Sequence, residues 1–132
     1  MQTVKNFISE QDYLEISEVF MCLPFNTSLV GYQMLINAVG ILLNTKEIGL
    51  SLNGDIYKTV GENFCVNAKF VEKSIRNLLS ATSDYCAYYS KVIQYPNLLI
   101  KHAVEDGHPK SFIFSICEYL KLKRFKQKLV EV

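Results

Sequence analysis

Three prolines and six glycines are all that punctuate this 132-residue sequence. No segment is low in complexity, no repeat is visible, and no alternating polar–apolar run is long enough to argue for a sheet. Its four cysteines, Cys22, Cys65, Cys86 and Cys117, lie far apart without a Cys-x-x-Cys pair. That removes the spacing of a zinc site or a redox motif, and the cysteines read as buried small hydrophobes in a reducing compartment. The longest apolar run, Ser28 to Leu43, is broken by Gln33 and Asn37 and is shorter than the roughly 20 residues a membrane span needs, so it reads as a core helix. The N-terminal segment has neither an apolar stretch nor a small-residue cleavage site and does not resemble a signal peptide. A cytoplasmic protein without membrane contact is expected.

Charge of one sign is also missing. The 14 basic and 13 acidic residues leave a formal net charge of +1, which does not advertise a polyanion partner. The distribution is uneven, however. Residues 1–20 set Lys5 against Glu10, Asp12, Glu15 and Glu18, whereas residues 121–128 hold Lys121, Lys123, Arg124, Lys126 and Lys128 with no acid. Enzyme signatures are lacking too: there is no glycine-rich phosphate loop and no Gly-x-Ser-x-Gly. Cys117 has no base nearby in sequence, and His102 with Glu105 and Asp106 makes at most half a metal site. No catalytic activity, cofactor or metal is expected.

What is present is a helical period. With 49% hydrophobic residues the chain suits a single domain, 1–132, with a real core and no need of disulfide or metal staples. Ser9 with Asp12 resembles a capping box ahead of a helix over about 10–21, whose apolar positions come from Ile8, Leu14, Ile16, Val19 and Phe20. Pro24 and Asn26 end it, and a helix apolar on most sides follows over about 27–45. Asn53-Gly54-Asp55 marks a turn and an N-cap for a helix over 55–64, and after Cys65-Val66-Asn67 a helix over 68–82 is capped by Asn67. Its buried stripe is Ala68, Val71, Ile75, Leu78 and Leu79, which leaves Lys69, Phe70, Lys73, Arg76, Asn77 and Ser80 on the other side. The segment 83–95 predicts a tyrosine-rich helix. Asn97 caps a short one ending at Asp106-Gly107, and Pro109 opens the last. The expected fold is all-α, a compact bundle of six or seven helices containing a helix-turn-helix over about 55–82, with a basic C-terminal tail over about 121–132.

Four segments in order carry a family resemblance. Pro24 followed by Gly31 to Val39 (GYQMLINAV), residues 56–64 (IYKTVGENF), residues 67–77 (NAKFVEKSIRN) and residues 112–122 (FIFSICEYLKL) together resemble the C-terminal DNA-binding effector domain of the stage zero sporulation protein A family. These are the response regulators that start sporulation in Firmicutes. The resemblance spans about Val19 to Leu122 and implies a helical domain that reads duplex DNA as a tandem homodimer, with residues 67–77 as its recognition helix. Glu72 and Arg76 match the family pattern. Lys58 stands where the family has proline, Phe70 where it has a base-reading arginine, and Lys73 where it has another arginine. A regulator of this family carries an N-terminal phosphoacceptor domain, whereas roughly 20 residues precede the resemblance here, so a receiver aspartate within this chain is not the expected switch.

Major-groove reading needs long donors for guanine O6 and N7 and cations for phosphate. Arg76 is the candidate for a bidentate guanine contact. Lys69 and Lys73 suit phosphate or guanine, Asn77 suits adenine, and Glu72 either accepts from cytosine N4 or pairs with Arg76 at i+4. Three roles are open to Phe70: a thymine methyl contact, an anchor for a protein partner, or packing against Tyr57 or Phe64. Lys58, Asn67, Lys121, Lys123 and Arg124 are candidate phosphate contacts, although the tail has the alternative of being a solvated terminus. Two functions follow: a sequence-specific transcription regulator, or an interaction module that kept the fold, lost base reading and pairs with a full-length regulator or other partner.

Overall fold

The computed structural model describes residues 8–45 and 52–131. Residues 1–7, which open the segment lacking signal-peptide character, and Val132 at the end of the basic tail lie outside them. Among the described residues all regular structure is helical: α1 (Glu10–Phe20), α2 (Val30–Asn44), α3 (Tyr57–Phe64), α4 (Ala68–Tyr88), α5 (Leu98–Asp106) and α6 (Pro109–Glu131).

Local chemistry sets most of the boundaries. Ser9 Oγ accepts from the Asp12 N–H at 3.1 Å and starts α1. Asn67 Oδ1 accepts from the Phe70 N–H at 2.8 Å and starts α4, and Asn97 Oδ1 accepts from the Ile100 N–H at 2.9 Å and starts α5. Each satisfies one backbone donor that the first turn of a helix leaves without a partner. Gly107 closes α5 in the left-handed conformation (φ 65°), and Pro109 occupies the first position of α6, where its missing N–H costs nothing.

α2 is the central element. Met34, Leu35, Ile36, Asn37, Ala38 and Val39 are all buried, so successive residues face neighbours on every side of the helix. α1, α3, α4 and α6 pack around it, and α5 closes the far side of α4 and α6. The rings of Phe20, Phe25, Tyr32 and Phe112 form one cluster with centroids 5.0–5.9 Å apart, joining the end of α1 to the starts of α2 and α6. A part-buried polar contact registers α3 on this core: Asn63 Nδ2 donates to Asn37 Oδ1 at 3.0 Å.

Several expectations are corrected. α4 does not stop at residue 82 but runs to Tyr88, taking in the first six residues of the separate tyrosine-rich helix expected over 83–95, while residues 89–95 are turn and coil rather than helix. Thr82 is buried and its hydroxyl donates to the Leu78 carbonyl, while Ser83 Oγ donates to the Glu105 carbonyl of α5, so neither residue interrupts the helix. The helix expected from 55 starts as a π turn over Leu52–Ile56 and becomes α-helical at Tyr57. Two of the four cysteines, Cys22 and Cys65, are exposed rather than buried. The basic tail is helical, since α6 continues through it to Glu131, and most of its side chains are exposed. Leu14, an expected core position of α1, is 57% exposed.

Candidate nucleic-acid interface

The candidate surface is built by the α3–turn–α4 unit. α3 buries Tyr57, Val60 and Gly61 and ends at Cys65, which is left-handed (φ 60°, ψ 39°). The chain then doubles back tightly, with the Val66 N–H donating to the Gly61 carbonyl at 2.9 Å. Gly61 is required for this approach, since a Cβ there would lie 2.5 Å from the Val66 carbonyl oxygen. Asn67 caps α4 immediately, so three residues separate the two helices.

α4 then divides along its length. Val71, Ile75, Leu78, Leu79 and Thr82 are buried, and at Gly31 the backbones of α2 and α4 come too close for a side chain to intervene. Lys69, Phe70, Lys73, Arg76 and Asn77 are exposed, and Glu72 lies between at the edge. The seating of the buried stripe therefore presents one basic strip outward. Phe70 is 46% exposed and stands outside the buried cluster.

Arg76 Nη1 pairs with Glu72 Oε1 at 2.6 Å one turn earlier, with the arginine side chain 54% exposed. A solvent-exposed i, i+4 pair of this kind contributes only about 0.3–0.5 kcal/mol, so it orients the guanidinium and yields at little cost to a stronger acceptor. Tyr57 is buried, and its hydroxyl has no hydrogen-bond partner among the described residues. Burial, with the Glu72 carboxylate adding to it, pushes the phenol up to about 12, and the ring stays protonated.

Lys58, in the first turn of α3, and Asn67, in the turn before α4, are exposed, with the Asn67 side-chain oxygen already engaged by the cap. Lys121 is exposed on α6. Its neighbours are differently placed: Lys123 Nζ lies 3.8 Å from Glu18 Oε2, and the Arg124 guanidinium reaches Asp12 Oδ1 at 2.6 Å and Glu15 Oε2 at 2.6 Å. Nε and Nη2 of Arg124 are thus engaged by α1. Asp12 is buried, and Asn44 Nδ2 also donates to it at 2.6 Å. Burial alone would raise its carboxyl, but the bonds from Asn44, Arg124 and Ser9 outweigh that and hold it below the usual carboxylate value. Sequence reasoning missed this clasp, although the acidic head and basic tail were its visible sign.

Among the described residues no group of three or more His, Cys, Asp or Glu is arranged to hold a metal, and no helix is long and apolar enough to cross a membrane. The model of the family described as sporulation initiation factor Spo0A, C terminal, matches residues 16–120. The chain belongs to that family. It is a family of DNA-binding effector domains and not one of enzymes. The match covers α2 to α5 entirely, while Asp12 and Glu15 precede it and Lys121 to Lys128 follow it. No curated protein and no solved structure matches the chain.

Proposed function

We propose that this protein is a sequence-specific transcription regulator that reads the major groove with the outward strip of α4, α3 and α4 acting as a helix-turn-helix. The observation that carries the reading is the strip itself, with Lys69, Lys73, Arg76 and Asn77 exposed on the first turns of a capped helix that follows a three-residue turn, inside a domain of a DNA-binding family. Arg76 addresses guanine through its two-pronged edge, exchanging Glu72 for O6 and N7, and Lys69 and Lys73 hold phosphates or guanine. Asn77 faces adenine, Glu72 is left to accept from cytosine N4, and Lys58 and Asn67 approach the backbone. Two copies on tandem sites extend the site read.

Selection of bound sequences from a random duplex library tests this directly, and recovery of one motif is expected. Against that motif Arg76→Ala should lose about 1–3 kcal/mol, and much less against random duplex, with thermal stability unchanged because the side chain lies outside the core. If Arg76→Ala and Lys73→Ala, both folded, bind every duplex as the parent does, base reading by α4 is refuted.

One observation favours a second reading. The exposed ring of Phe70 occupies the position where the family resemblance places a base-reading arginine, which suits an interaction module that pairs with a full-length regulator. Under that reading the selection yields no motif, and Phe70→Ala abolishes association with the partner.

A further inference from the structure

Beyond residue 120, where the family match ends, α6 continues as helix to Glu131. Its inner side is accounted for: Ile113, Ile116, Cys117 and Leu120 are buried, and Lys123, Arg124 and Gln127 line the groove shared with α1. Over this stretch its outer side carries three exposed apolar residues. Leu122, Phe125 and Leu129 are 54%, 60% and 63% exposed, although core burial explains none of them. Their spacing is that of a heptad seam, with Leu122 and Leu129 at a and Phe125 at d. In that register Lys121 and Lys128 fall at g and Lys126 at e, so every flanking position along this stretch is a lysine.

We propose that this seam is a docking surface for an acidic amphipathic helix of another protein, one with aspartate or glutamate beside its own apolar stripe. Charge decides between occupants. A second copy of this chain would set lysine against lysine across each e–g pair, a like-charge juxtaposition that interfaces avoid. Shape decides against a lipid surface: the apolar strip is the narrow a/d seam of helix pairing, not the broad face of a helix lying in a bilayer interface. The clasp supplies preorganisation. An isolated segment this short would not hold a helix in water, but Arg124 and Lys123 anchor it to α1 and present the seam already formed. The seam is independent of the DNA-reading strip, so either proposal can fail without the other.

The test uses the full chain and a fluorescent synthetic heptad peptide with isoleucine at a, leucine at d and glutamate at every e and g. Saturable binding is expected, with little binding of the same peptide carrying lysine at e and g. Leu129→Asp and Phe125→Ala, both at exposed sites and checked for unchanged helicity, should weaken it by about tenfold or more. Reversing Lys121, Lys126 and Lys128 together to glutamate should move the preference to the lysine peptide. The proposal is overturned if a scrambled acidic peptide of the same composition binds equally well, or if the Leu129→Asp protein binds like the parent. It is overturned as well if phosphatidylcholine–phosphatidylserine vesicles bind while the peptide does not. A dimer of the chain alone that Leu129→Asp dissociates would name a second copy as the occupant and overturn it too.

Discussion

Phe70 illustrates how one side chain's setting separates roles that a sequence leaves open. With 46% of its surface exposed and its N–H held by the Asn67 cap, the ring contributes little to the core. Phe70→Ala should therefore lower folding stability by less than about 1 kcal/mol, against the 3–5 kcal/mol expected of a buried phenylalanine, as read from urea unfolding. A larger loss would return the ring to the core. At this scale the sequence was informative at most helix ends, where chemistry is local, though not at Asp55, which lies inside the π turn while Ile56 occupies the N-cap of α3. Ser9, Asn67, Asn97, Gly107 and Pro109 serve as caps and boundaries in the positions their types suggest, because each acts within a few residues of itself. Cys22, Cys65 and Leu14 escaped because exposure is decided by elements distant in sequence, and residue type carries only a bias.

Among the elements, the turn between α3 and α4 is the most tightly specified. Alanine at position 61 would gain up to about 1 kcal/mol of helix propensity over glycine. Its Cβ would meet the Val66 carbonyl oxygen at 2.5 Å, however, and that backbone is pinned by its own bond to Gly61. Overpacking of this kind costs about 1–3 kcal/mol, so Gly61→Ala should destabilise by roughly 1–2 kcal/mol and weaken duplex binding further by displacing α4. A thermal midpoint at or above the parent's would show that the turn has slack. Helix identity was legible here from the apolar stripe, but helix length was not. Ser83 and Asp84 look like a boundary in the sequence. The run to Tyr88 is instead held by contacts to α5 and by the burial of Cys86, which no local pattern encodes.

For the molecule as a whole, the clasp of Asp12, Glu15 and Arg124 sets the acid response. The Asp12 carboxyl is held below its unfolded value, near 3.9, so it contributes stability above that value and loses the contribution as pH falls through its folded value. The stability gap between the parent and Asp12→Asn should be widest near neutrality and close progressively below about pH 4. A gap independent of pH would mean the ion pair contributes nothing. The all-helical class was legible in the hydrophobic period, whereas the clasp required knowing that the two oppositely charged ends meet. Its partners Asp12 and Arg124 lie 112 positions apart. Closing so long a loop is entropically unfavourable until the intervening helices have condensed, so the ion pair is expected to form after the rate-limiting step of folding. Arg124→Ala should leave the refolding limb of a stopped-flow chevron in place and raise the unfolding limb. On that outcome the clasp between Arg124 and the acids of α1 is a latch, setting how long the native state lasts rather than how fast it forms.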